Sequence, residues 1–265
     1  MNTVSVDAVL FDLDGTLIDH QSAASAAVTA TFLGDPEQPV LDQDLLTRRW
    51  LALEATTLDR YLAGEWTFIG QRRLRITCLA EELGLGCWTT AQADAWFARY
   101  LQHYEQAWRT YPDVDPALAS LTVEHPWLRL GVITNGDADQ QRRKLQHVGL
   151  ASALPYVTIS SEVGAAKPDG RIFAAACDQL GVDPSRVAYI GDRLHTDAEA
   201  AALAGMRGVW LDRERIGAVT PVPRVTTLTE LQPLLAGPTG HSNEGQPRGV
   251  PISRGSRSGD RPRPR

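Results

Sequence analysis

Lysine is almost missing from this chain of 265 residues: Lys144 and Lys167 stand against 24 arginines. Cysteine is scarce too. Cys78, Cys87 and Cys177 are odd in number and lack metal-ligand spacing, which excludes a disulfide framework and a thiolate zinc module; they are expected to be reduced and buried on helix faces. No apolar stretch approaches the length of a membrane span, and the first residues lack a basic, apolar secretion signal, so the expected location is the cytoplasm. Excess positive charge is also absent. The net charge is −6, and the Gly-, Pro-, Ser- and Arg-rich segment Gly237 to Arg265 carries +4 of its own, leaving −10 on residues 1–236. So acidic a body argues against specific nucleic-acid binding, and so apolar-poor a tail is expected to be disordered.

What remains is ordinary globular material, 43% hydrophobic and 22% charged. Five short apolar runs, Val6 to Phe11, Leu130 to Thr134, Tyr156 to Ser160, Val187 to Ile190 and Gly208 to Leu211, each precede a loop and a helical pattern. That alternation predicts an α/β fold, a doubly wound parallel sheet with a Rossmann-like core. More than a hundred residues separate the first run from the second, far more than a crossover helix needs. They hold helical patterns at about Gln21 to Leu33, Asp42 to Leu62, Phe68 to Leu83 and Thr90 to Trp108. The expected organisation is a core of residues 1–18 and 108–236, an inserted α-helical cap of residues 19–107, and the tail.

The chemistry collects at the strand ends. Phe11 closes an apolar run, and Asp12-Leu13-Asp14-Gly15-Thr16 follows, placing two carboxylates where the backbone turns. Strand ends of open α/β sheets border the ligand crevice. Two like charges this close need a cation between them or a retained proton. The second run ends in Thr134-Asn135-Gly136 before a helix, which offers a hydroxyl, an amide and backbone N–H groups to an anion. Lys167 sits in Ala166-Lys167-Pro168-Asp169-Gly170, where a compact ammonium can lie between a carboxylate and a phosphoryl group. The fourth run ends in Gly191-Asp192, with Asp197 at the start of an alanine-rich helix. Asp12, Asp192 and a backbone carbonyl suit the hard, oxygen-preferring Mg²⁺. In the region of the insertion, Arg72 falls among Ile69, Ile76, Leu79, Ala80 and Leu83 on one helical stripe, whereas Arg73 and Arg75 flank it and are expected in solvent.

Taken in order, the four segments resemble the motifs of the haloacid dehalogenase-like superfamily, from about Val6 to Leu235, with Thr134-Asn135-Gly136 and Gly191 to Asp197 closest to its nucleotide, sugar-phosphate and acylneuraminate-phosphate phosphatases. The resemblance implies a Mg²⁺-dependent phosphohydrolase acting on a small phosphorylated metabolite. Asp12 would be the nucleophile that forms an aspartyl-phosphate, and Asp14 the acid and base, its backbone carbonyl joining Asp12 and Asp192 on the metal. Thr134, Asn135 and Lys167 would hold phosphate, and Asp197 would support the metal. His20 and Arg72 are the candidates for contacting the rest of the substrate. Retention of Asp14, aromatic in the dehalogenases, argues against dehalogenation. The lack of any lysine before Lys144 closes the Schiff-base route of the phosphonate hydrolases. A phosphomutase, which shares all four motifs, and a non-catalytic regulatory protein on the same scaffold are the alternatives.

Overall fold

The computed structural model describes residues 6–33, 42–217 and 219–235; the segment 237–265, expected to be disordered, lies outside the described residues. Its centre is strand β1 (Ala8–Phe11), buried on both faces. Val9 and Phe11 point into one apolar cluster with Val132, Ile190 and Leu211, while Ala8 and Leu10 point into another with Ile133, Phe173 and Tyr189. This period of two with both faces apolar marks an interior parallel strand, which explains why the run reads as continuously hydrophobic.

Strands β2 (Arg129–Thr134), β3 (Tyr156–Ile159), β4 (Val187–Gly191), β5 (Arg207–Leu211) and β6 (Arg224–Val225) complete a six-stranded sheet in the order β3-β2-β1-β4-β5-β6. Every pairing is parallel. The chain builds outward from β1 through β2 to β3, then returns to the other side of β1 as β4. The winding therefore reverses beside β1, and the crevice of a doubly wound sheet opens there, where Asp12 begins the loop. The sixth strand, two residues long, is too short to leave a pattern in the sequence.

Helices α1 (His20–Leu33), α2 (Gln43–Leu62), α3 (Phe68–Glu82) and α4 (Thr90–Gln106) lie close to their predicted bounds. Side chains of Asp42 and Thr67 cap α2 and α3, and Thr89 with Gln92 forms a reciprocal capping box on α4. These four helices share an apolar cluster around the fully buried Trp50, whose indole donates to Tyr100 Oη at 3.1 Å. Tyr100 stacks on both Trp96 and Tyr104, so α4 contributes a ladder of rings. Helix α5 (Val114–Glu124) was not expected from the sequence; Val114, Ala117, Leu118 and Leu121 form its buried face, and Pro116 in its first turn obscures the pattern. The remaining helices are α6 (Ala138–His147), α7 (Ser160–Val163), α8 (Gly170–Leu180), α9 (Ala200–Leu203) and α10 (Gln232–Leu235). No helix among the described residues is long and apolar enough to cross a membrane.

Two expectations need correction. Arg75 is buried rather than solvated, and Ile69 is 56% exposed, because α3 turns the face bearing Gln71, Arg75, Ile76 and Leu79 inward. Glu54 on α2 supplies the counter-charge that makes this orientation tolerable. Of the cysteines, only Cys177 is buried; Cys78 is half-buried, and Cys87 lies exposed in the loop before α4.

Trp50→Ala removes the centre of the helical cluster and should cost about 3–5 kcal/mol of stability. Urea unfolding followed by circular dichroism measures this; a loss below about 1 kcal/mol would show that the ring ladder contributes little.

Candidate active site

The loops after β1, β2 and β4 and the loop carrying Lys167 meet at the crevice. The approach is close enough to dictate glycine twice. Gly15 has φ +91°, and a Cβ there would stand 2.4 Å from Asp192 Oδ2; a Cβ on Gly191 would stand 2.4 Å from the side chain of Asp197. Thr16, fully buried, ties the first loop to the fourth: its hydroxyl accepts from the backbone N–H of Asp192 at 3.1 Å and lies 3.3 Å from Asp192 Oδ1. The glycine and threonine beside the aspartate pair are thus the parts that let two strand ends converge.

At the centre stands Lys167, 3% exposed. Its Nζ donates to Asp12 Oδ1 at 2.5 Å, Asp197 Oδ1 at 2.7 Å and Tyr189 Oη at 2.8 Å, which uses all three ammonium donors. Asn135 fixes the backbone behind it: the amide oxygen accepts from Lys167 N at 2.8 Å, and the amide nitrogen donates to Lys167 O at 3.0 Å. Asn135 therefore engages the lysine loop with its side chain. Asp197 Oδ2 accepts from the backbone N–H of Arg193 at 3.0 Å, within a π-helical turn (Leu194–Glu199) that precedes α9 where a regular helix was expected.

Oxygens of Asp12, Asp192 and Asp197 lie within 4.8 Å of one another. One ammonium cannot balance three carboxylates. Burial, chiefly, pushes the Asp12 pKa up to about 8; Lys167 opposes the rise, while Asp197 and Asp192 add to it. Burial and then Asp197 likewise raise Asp192 to about 6, against Arg193 and Lys167. Surplus negative charge on clustered oxygen donors fits a hard divalent cation, which would return these groups to the ionised form.

Asp14 lies outside this trio. Its carboxylate is held by Lys144 Nζ at 2.6 and 2.7 Å and by Gln141 Nε2 at 3.0 Å, both from α6. Burial alone would raise its pKa; Lys144, then His20 and Gln141, outweigh that and hold it below the usual carboxylate range. Gln141 also donates to Thr134 Oγ1 at 2.7 Å, so one amide positions two of the expected residues. Lys144, Gln141 and Tyr189 were not singled out from the sequence. The signals were present: Lys144 is one of two lysines, it stands three residues from Gln141 on the helix after Thr134, and Tyr189 puts a hydroxyl into an apolar strand.

A pocket of about 310 Å³ joins this cluster to α2, α3 and α4, and both His20 and Arg72 line it. His20 has its two ring nitrogens engaged, by Tyr104 Oη at 2.6 Å and Glu54 at 2.7 Å. Arg75 takes the other oxygen of Glu54 at 2.5 Å and Gln71 Oε1 at 2.9 Å. Another pocket of similar volume, lined by Phe32, Trp96 and Arg99, contains no carboxylate and lies apart from the strand ends.

A parallel α/β sheet whose central strand ends gather aspartates around one lysine forms a site with the charges to hold an anionic group beside a cation. Residues 6–205 match the family model of haloacid dehalogenase-like hydrolases, and the chain belongs to that family. It is 31% identical over 216 residues to a glyceraldehyde 3-phosphate phosphatase of Methanopyrus kandleri, covering 82% of this chain and 88% of that protein. It is 33% identical over 253 residues to the N-acylneuraminate-9-phosphatase of Mus musculus, covering 89% and 96%. A shorter match, 44% identical over 103 residues, spans 41% of a phosphoserine phosphatase of Thermus thermophilus and 39% of this chain. The magnesium-bound structure of the hydrolase YfnB from Bacillus subtilis shares the fold with a TM-score of 0.74 at 22% identity, covering 88% of this chain and 99% of that one.

The His20–Glu54 pair gives a pH dependence with a definite sign. Burial would lower the His20 pKa, but Glu54, and next Asp14, raise it above its ordinary 6.5. The stabilisation is therefore full below pH 6.5 and fades as pH rises through the raised folded value. The melting temperature of wild type minus that of His20→Gln should be largest on the acid side of this window and shrink toward alkaline pH. A difference that grows with pH would contradict the ion pair.

Proposed function

We propose that the chain hydrolyses small phosphomonoesters through an aspartyl-phosphate on Asp12, with Asp14 as acid and base and with Mg²⁺ held by Asp12, Asp192 and the backbone carbonyl of Asp14, Asp197 standing beside them. The enzyme class, a phosphoric monoester hydrolase, rests on the family and on its phosphatase relatives. The observation that carries the mechanism is the clustering of Asp12, Asp192 and Asp197 at the switch point of the sheet, with Lys167 bonded to the first and the last.

In the first half-reaction an Asp12 oxygen attacks phosphorus as the ester P–O bond breaks, and Asp14 gives its proton to the leaving oxygen. Thr134, Lys167 and the backbone N–H groups after Asn135 hold the phosphoryl oxygens as charge spreads over them. In the second, Asp14 takes a proton from water, the water oxygen attacks phosphorus, and the bond to Asp12 breaks, releasing phosphate. The Lys144 pairing favours the ionised, base form of Asp14. An arriving phosphoryl dianion is a like charge that favours its protonated form, so substrate itself promotes the acid. Bound Mg²⁺ supplies charge neutralisation for the phosphoryl group and the carboxylates. Residues 19–107 act as a cap whose pocket face excludes water and selects the substrate, over a core of residues 1–18 and 108–236.

Purified protein with Mg²⁺ should release free phosphate from small phosphomonoesters, detected by phosphorus NMR, and a chelator should abolish turnover until Mg²⁺ is restored. Asp12→Asn should lower kcat by at least about 10³-fold. Wild-type turnover in that variant would remove Asp12 as nucleophile, and an isomeric sugar phosphate as product would mark a mutase.

A further inference from the structure

Among the described residues, the cations that helices bring to the pocket each pair with a carboxylate, except one on α3. Glu54 holds Arg75 and His20, Asp14 holds Lys144, and Asp12 and Asp197 hold Lys167. Arg72 has no carboxylate within ion-pair distance among the described residues; Asp137 acts on it from further away. Its Nη2 donates to the neutral Gln140 Oε1 at 3.0 Å, and this is the only one of its guanidinium donors with a protein acceptor among the described residues. The guanidinium lies over the ring of Phe68 at 4.2 Å and within 5.2 Å of the Phe97 centroid. Burial, and then the nearby Arg75, push its pKa down, so its charge is carried at a cost there. A half-buried cation held by two rings and an amide in a ligand pocket is a prepared anion receptor.

We propose that Arg72 binds a carboxylate carried by the substrate, so that the enzyme selects phosphomonoesters of hydroxy acids: the phosphoryl end at Asp12 and Lys167, the carboxylate at Arg72. This rests on the phosphatase reading above and extends it to substrate class. A planar carboxylate matches the guanidinium fork with two parallel hydrogen bonds. Arg75 and His20 are engaged by Glu54, so Arg72 is the guanidinium fork left to meet the ligand, and one such fork matches the two oxygens of a carboxylate. The alkyl faces of such a substrate would run past Phe68 and Phe97, which line the same pocket.

Steady-state kinetics with Mg²⁺ on 3-phosphoglycerate, glycerol 3-phosphate and propane-1,3-diol bisphosphate test this directly. The full-length wild type should prefer 3-phosphoglycerate to glycerol 3-phosphate in kcat/KM. In Arg72→Gln the ratio of the two values should collapse by about 10- to 100-fold, the range for a charge-assisted pair, mainly through KM; Arg72→Lys should recover part of it. An unchanged ratio would overturn the proposal, as would a wild-type preference for the bisphosphate, which would assign the site to a second phosphate. Calorimetry with glycerate provides an arm independent of turnover. Binding to wild type that is lost in Arg72→Gln supports the subsite, and no difference between the two overturns it. If no phosphomonoester is hydrolysed while glycerate still binds through Arg72, the phosphatase reading fails and the subsite stands.

Discussion

A buried ammonium between two carboxylates sets the terms for this molecule. Lys167 reaches Asp12 from the first strand end and Asp197 from beyond the fourth, and its third donor meets Tyr189 inside β4. Removing one member of such a buried set leaves uncompensated charge, which typically costs about 3–5 kcal/mol. The same arrangement is left one cation short, since Asp192 joins the group without an ion-pair contact of its own among the described residues. Structure and chemistry therefore meet in a single imbalance: the fold brings three carboxylates together, and the deficit is what a divalent cation and a phosphoryl group would exploit.

From Asp14 a chain of contacts leads away from the sheet. Lys144, held between Asp14 and the faces of Tyr104 and Trp108, connects α6 to α4. The Tyr104 hydroxyl meets His20, His20 meets Glu54, and Glu54 meets Arg75, which lies over Trp50 at the centre of the helical cluster. Signs alternate along most of this path, so each charge on it touches one of opposite sign. The helices that line the pocket are in this way tied electrostatically to the residue proposed as acid and base.

Much of this was legible in the sequence because strand ends are local events. Asp12, Thr134, Asn135 and Asp192 each close an apolar run or sit beside a glycine, Lys167 follows Ala165-Ala166, Asp197 opens an alanine-rich segment, and periodicity placed the long helices within a residue or two. The partners of those residues were less visible. Lys144, Gln141 and Glu54 lie on helix faces that look solvated until the tertiary fold brings an opposite charge to them, and Arg75 was placed in water for the same reason. A hydrophobic pattern reports which face is apolar; it is silent about an ion pair that buries a charged one. Sequence pattern likewise marked Arg72 as unusual, while its aromatic cradle and its lack of an ion-pair contact among the described residues are facts of packing.

The direct test of the central claim is mass spectrometry of acid-quenched protein during turnover with a phosphomonoester, comparing wild type, Asp14→Asn and Asp12→Asn. Loss of the base should slow breakdown of the intermediate, so a phosphoryl adduct is expected on the peptide that carries Asp12 in Asp14→Asn, with none at that position in Asp12→Asn. Continued phosphate release with no adduct on Asp12 in any variant, or an adduct on another side chain, would contradict the assignment of Asp12 as the residue that accepts the phosphoryl group.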